Sequence, residues 1–345
     1  MSGARPSRVA LGALGAAAGL ALWSAAGGAA QAQVAGPVVT TLTLFAGTPA
    51  GLWRSQDWGA QWQRVTGNPR GVSVESAGAA HTVLAVGPRV WVGFEKGLFV
   101  SDDFGDTWAA TPVESPVHAV LPSRYPQADP TVFAGTAAGL LKSDDGGRSF
   151  HDTPLRGVAV TRVLWPGPAL VVATGEGVRF SVDAATTFAP PGAGMPKDDV
   201  GALALSSFFA VDPVAFAGVG ARGVLRTADG GKTWAPSGLD GHRVTDLEWL
   251  GPFLYAATDK GLFRSQDAGA TWAPLGEGLS AVPRRFMFPL APDSGAEAFV
   301  ATESGIFRTS DGGARWMPVG LEDQRVLCVG TFPPPEPMKR KKGRR

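Results

Sequence analysis

An eight-residue segment of the form Ser/Thr-x-Asp-x-Gly-x-x-Trp/Phe returns seven times along the chain. The copies are SQDWGAQW from Ser55, SDDFGDTW from Ser101, SDDGGRSF from Ser143, SVDAATTF from Ser181, TADGGKTW from Thr227, SQDAGATW from Ser265 and TSDGGARW from Thr309. Their aspartates are Asp57, Asp103, Asp145, Asp183, Asp229, Asp267 and Asp311, separated by 46, 42, 38, 46, 38 and 44 residues. A period of about 42 residues is the signature of a repeat architecture, in which each unit buries its apolar surface against its neighbours.

Each repeat carries four short apolar runs, clearest in the sixth: VTDLEWL (Val244 to Leu250), FLYAAT (Phe253 to Thr258), GLFRS (Gly261 to Ser265) and TWAPL (Thr271 to Leu275). All are rich in β-branched or aromatic residues and bounded by Gly, Pro or Asp, which reads as strand and turn. Four antiparallel strands per unit make a propeller blade. The expected fold is all-β: a seven-bladed β-propeller of four-stranded antiparallel blades. The second runs are almost unbroken apolar sequence, so both faces should be buried between adjacent blades. The third runs each begin with glycine (51, 97, 139, 177, 223, 261, 305), which predicts positive φ in the hairpin before them. Blade one lacks a clear first strand, and the spare run RVLCVGT (Arg325 to Thr331) is predicted to supply it and close the ring. The single cysteine, Cys328, lies within that run and is read as core packing.

Three segments follow: 1–32 as a signal peptide, 33–332 as the propeller, and 333–345 as a disordered Pro-rich, basic tail. Arg5 and Arg8 precede the apolar run Val9 to Leu22, and Ala30-Gln31-Ala32 fits small-x-small cleavage. The expected location is periplasmic or secreted, with the leader either removed or retained as an anchor. Dividing the charge leaves a body with 23 basic and 29 acidic residues, whereas the tail holds six basic residues and one acid. That distribution does not suit a nucleic-acid binder, which carries its positive charge on a folded face.

In each repeated box the aspartate is expected to accept hydrogen bonds from N–H groups of its own turn, a structural role rather than a catalytic one. The fourth box has Ala185 for glycine and Phe188 for tryptophan, which predicts a distorted turn. The wider pattern, AGT-x-x-GL followed by the box, resembles the Asp-box, or BNR, repeat of sialidases, xyloglucan-active glycosidases and sortilin-type receptors. It is most similar to the photosystem II stability/assembly factor family. That resemblance covers residues 41 to 331 and implies a seven-bladed exported propeller acting as an assembly chaperone. It carries over architecture and a non-catalytic binding role more firmly than a photosynthetic partner. A sialidase reading fails on parts: no Arg-Ile-Pro is present, and the only tyrosines are Tyr125 and Tyr255, the latter inside a strand.

Function is expected on the face holding the fourth-to-first and second-to-third connections, opposite the boxes. Aligning the first strands by their apolar cores places Arg325, Thr82, His118, Arg162, Gly201, Asp246 and Arg285 in one column at the channel rim, with Arg284 beside it. Arg162, Arg284, Arg285, Arg325 and His118 are therefore the candidate ligand-binding residues, suited to a carboxylate or phosphate through paired guanidinium hydrogen bonds. The competing reading of that column is a solvated rim of local ion pairs.

The reading is an exported, monomeric binding or assembly scaffold for a protein or anionic polymer of the cell envelope. No cofactor or metal is expected, since His81, His118, His151 and His242 show no metal-binding spacing and no cysteine cluster accompanies them. The tail is read as inert or as touching an anionic membrane surface. The alternative function is an exo-acting glycoside hydrolase using carboxylates of the second-to-third loops, which carry Glu95, Lys96, Glu176, Arg222, Asp259, Lys260 and Glu303.

Overall fold

The second run of every repeat becomes a strand buried along its length save at Thr43, Arg89 and Phe253, which are half-buried: Thr43–Thr48, Arg89–Phe94, Val132–Thr136, Leu170–Thr174, Ala215–Val219, Phe253–Thr258 and Ala298–Thr302. In the computed structural model, which describes residues 42–67, 71–123, 125–126, 128–167, 169–288 and 297–332, these strands lie second from the inside in seven separate antiparallel sheets. The signal-peptide reading of 1–32 and the tail reading of 333–345 lie outside the described residues.

Each sheet is one blade, with its strands in chain order from the channel outward. The inner strands are Ala80–Val86, Val117–Pro122, Val160–Leu164, Val200–Leu205, Val244–Leu250 and Pro283–Met287 for blades two to seven. Blade one takes its inner strand from the far end of the chain. Cys328–Phe332 pairs antiparallel with Thr43–Thr48, in the register Gly47 to Cys328 and Thr43 to Phe332. The ring is therefore closed by the C-terminal strand, and blade one is left without a bare inner edge. Cys328 is buried there, and burial pushes its thiol up to about 12.

The leading glycine of each third strand has positive φ, from +73° at Gly223 to +144° at Gly139. The outer strands are short, only two residues in blades one, two, five and seven. Blade four keeps three strands and a single Phe180–Ala189 bridge where the fourth would lie.

The seven boxes share one hydrogen-bond scheme. In the first, the Ser55 hydroxyl donates to Asp57 Oδ1 (2.8 Å), the Gln61 N–H donates to the same oxygen (2.8 Å), and the Gly59 N–H donates to Ser55 Oγ (2.9 Å). Where the residue four beyond the aspartate is Ser or Thr, its hydroxyl adds a bond to Oδ2, as Thr233 does to Asp229 (2.6 Å). These donors hold the carboxylates below the usual range: Asp183, Asp229 and Asp267 fall to about 2, with the Thr187, Thr233 and Thr271 hydroxyls the first cause.

The fourth box is not distorted. Ala185 adopts φ +71°, its N–H donates to Ser181 Oγ (2.9 Å), and Thr187 donates to Asp183 as in the other copies. The backbone network imposes the turn, and the alanine accepts a left-handed conformation that costs an L-residue about 1–2 kcal/mol. The boxes also join blades. Trp62 Nε1–H donates to Val319 O (2.9 Å) across the closing seam, and Trp272 Nε1–H donates to Ser237 O (2.8 Å) between blades six and five.

Candidate functional site

The inner strands of blades two to seven each slip register near their start, between Ala80 and Thr82, Val117 and Ala119, Val160 and Arg162, Val200 and Ala202, Val244 and Asp246, and Pro283 and Arg285. A bulge inserts one unpaired residue and re-aims its neighbours. His81, His118, Thr161, Gly201, Thr245 and Arg284 are the inserted residues, with Leu327 at the same level in blade one. The next level holds Thr82, Ala119, Arg162, Ala202, Asp246, Arg285 and Cys328.

The single column expected from the sequence thus divides over three levels. Arg162, Asp246 and Arg285 share one, His118 and Arg284 share the bulge level, and Arg325 lies further out, three residues before Cys328. The bulge falls at the same place in the inner strands of blades two to seven and moves them alike, so the split comes from aligning on apolar residues alone, which let His118 and Gly201 slide by one residue and Arg325 by three.

The structure still gathers most of these groups. A cavity of about 250 Å³ at the hairpin face of the channel is lined by His81, His118, Arg162, Arg284 and Arg285, together with Asp199 and Arg243. Arg325 does not line it, but Glu303 bridges Arg325 Nε (2.8 Å) and Arg284 Nε (2.6 Å). Beneath the cavity, Asp246 is 7% exposed and takes Arg162 Nη2 at 3.3 Å, Arg285 Nη1 at 3.4 Å and the Phe286 N–H at 2.8 Å. Burial pushes the Asp246 carboxyl up and the Arg162 guanidinium down, each toward its neutral form, and their mutual attraction opposes both shifts. Two guanidiniums and a backbone donor on one carboxylate favour the ion pair.

His118 stands edge-on to His81 with ring centroids 4.7 Å apart, and His81 Nε2 is 2.8 Å from Glu95 Oε2. Burial first, and then the His81 charge, hold the His118 value below that of a free imidazole. Among the described residues, no three His, Cys, Asp or Glu side chains are grouped to hold a metal ion.

The carboxylates of the second-to-third loops are engaged locally. Glu95 meets His81, Glu176 lies 3.8 Å from Arg179, Asp259 accepts the Arg243 N–H (2.9 Å), and Glu303 holds its two arginines. Tyr255 is buried in its strand, and Lys260 Nζ donates to Gly241 O (2.8 Å).

A larger cavity, about 620 Å³, opens at the opposite mouth of the channel, on the box face. Two residues beyond the Arg162 level, the inner strands present Leu84, Leu121, Leu164, Ala204, Glu248, Met287 and Gly330. This collar is apolar except for Glu248. The Glu248 side chain is open to channel water; the crowded channel wall and the negative charge of Asp246 push its carboxyl up, and the Arg162 guanidinium opposes them. Sequence reading passed over Glu248 because an acid between Leu247 and Trp249 looks like the wet side of an alternating strand. Its spacing of two from Asp246 was the available signal.

No protein-family model and no curated protein sequence matches the chain. Solved structures do. YCF48 from Cyanidioschyzon merolae superposes with a TM-score of 0.57 at 15% identity, covering 80% of this chain and 97% of that one. A structure of YCF48 bound to D1 peptide gives 0.55 at 15% identity, over 69% of this chain and 80% of that one. An ancestral GH74 enzyme gives 0.63 at 16% identity over 79% of this chain, but this chain spans only 44% of the enzyme. At such identities the likeness is one of fold, which hosts many unrelated functions.

Proposed function

We propose that this chain is an exported, non-catalytic binding scaffold that receives an anionic group of a protein or polymer of the cell envelope at the hairpin-face mouth of its channel. One observation carries the reading: Arg162, Arg243, Arg284 and Arg285 line a single cavity in which, among the described residues, Asp199 is the one lining carboxylate. Asp246 and Glu303 offset part of that charge from the cavity floor and wall. Guanidiniums held in place by such partners are preorganised donors for a planar anion, and their ordering cost is already met by folding. The D1 peptide bound to YCF48 supports a peptide as the ligand class on this fold. Against the glycosidase alternative, Glu176 and Glu303 are each within ion-pair reach of arginine, whereas glycoside hydrolysis needs an acid and a base free to exchange protons.

The test uses two libraries of fluorescent peptides, identical except that one ends in a free carboxylate and the other in an amide. The carboxylate set is expected to bind in a salt-sensitive manner. Arg243→Gln combined with Arg284→Gln should weaken that binding at least tenfold, matching the loss of a charge-assisted bond of about 1.5–3 kcal/mol. Equal binding of both libraries, or binding indifferent to the two substitutions, would remove the arginine mouth as the site.

A further inference from the structure

The box-face cavity is unlike the arginine mouth in every respect that governs ligand choice. Its walls are Leu121, Leu164, Leu205, Trp165 and Trp249, its acids are Glu248 and Asp129, and no basic residue among the described ones lines it. Asp129 is occupied, accepting the Thr131 N–H (3.1 Å). Glu248 has no hydrogen-bond or ion-pair partner among the described residues. A cation on an aliphatic stem can pair with this exposed carboxylate while its stem covers the apolar collar around it.

The fold delivers such a group to the same mouth. Cys328–Phe332 runs from the arginine side toward the box side, because Phe332 pairs with Thr43, at the end of blade one where the boxes lie. The chain therefore leaves blade one on the box face, the face on which this cavity opens across the channel between blades three and six. Six residues, Pro333 to Met338, then lead to Lys339, Arg340, Lys341, Lys342, Arg344 and Arg345. Proline-rich sequence extends about 3.1 Å per residue, so this spacer can reach roughly 19 Å. The channel is narrow enough that Arg162 of blade four and Asp246 of blade six meet by side chains alone.

We propose that the box-face cavity is the seat of the chain's own basic segment, residues 339–345, with a lysine or arginine stem lying against Leu121, Leu164 and Trp249 and its cation on Glu248.

Carbodiimide coupling of the full chain, read by peptide mass spectrometry, tests this directly. Glu248 should be joined to Lys339, Lys341 or Lys342, with a yield unchanged over a hundredfold dilution, and Glu248→Gln should abolish the link without lowering the melting temperature. In a second arm that leaves the cavity intact, a labelled peptide of residues 333–345 should bind a chain ending at Phe332 at least tenfold more tightly than the full chain, whose own segment competes. Coupling spread over other carboxylates, links formed only between copies, or equal peptide binding by both chains would overturn the proposal. So would absence of the Glu248 link together with retention of the full chain, but not the chain ending at Phe332, on anionic phospholipid vesicles. That result assigns the segment to a membrane surface.

Discussion

Arg162 of the fourth blade reaches across the channel to Asp246 of the sixth, their charged groups 3.3 Å apart, while Arg285 of the seventh approaches the same carboxylate at 3.4 Å. Three blades are thereby pinned at one point on the axis. Removing the carboxylate leaves Arg162, 15% exposed, without its charge partner. Asp246→Ala is expected to destabilise the fold by about 3–5 kcal/mol in denaturant unfolding. The paired change Arg162→Met with Asp246→Leu should cost markedly less, because no uncompensated charge remains. Equal losses in the two variants would mean that Asp246 matters through its bond to the Phe286 N–H rather than through the arginines.

The boxes make stability depend on acid pH. Asp183, Asp229 and Asp267 titrate near 2 when folded, below an unfolded value of about 3.9. The unfolded chain thus binds more protons over that window. Stability held above pH 4 should drain away as the pH falls toward 2. Urea unfolding measured across this range checks it. The triple variant with asparagine at 183, 229 and 267 should start less stable and show a flatter slope.

Box glycines sit where one blade meets the next. A Cβ on Gly147 would lie 2.5 Å from Trp91 Cη2, at φ +88°. Gly147→Ala therefore combines left-handed strain with overpacking and should cost about 2–4 kcal/mol. Ala185→Gly, at the equivalent position of blade four, should change stability by less than about 1 kcal/mol. Relief of backbone strain there is offset by a lost methyl contact and a looser unfolded chain. Thermal melts of the two variants measure the contrast.

Blade number, strand order and the closing strand were all legible in the sequence, because seven copies of a turn with fixed chemistry leave few other arrangements. The leading glycines were legible too, since positive φ in a tight hairpin selects that residue. What the sequence concealed arises from departures within the repeat. The inner-strand bulges have no residue signature: the inserted positions are His81, His118, Thr161, Gly201, Thr245 and Arg284, which share no chemistry. With no fixed residue to anchor the alignment, apolar spacing tolerated slips of one to three residues and merged three levels of the channel into one. Ala185 misled in the opposite direction, because local propensity argued for a bent turn and the surrounding bonds overrode it. Glu248 was hidden by its neighbours, since whether an alternating strand faces water or a channel is decided by the ring as a whole.

The seam between Thr43 and Phe332 sets an order of events as well as a shape. A ribosome delivers residue 43 near the beginning of the propeller and residue 332 at its end, so the blade made first is the blade completed last. Until that strand arrives, Thr43–Thr48 presents an open hydrogen-bonding edge to anything extended nearby, including a second nascent copy. Keeping the emerging chain apart from its siblings during synthesis matters most for a toroid whose latch strand is made last.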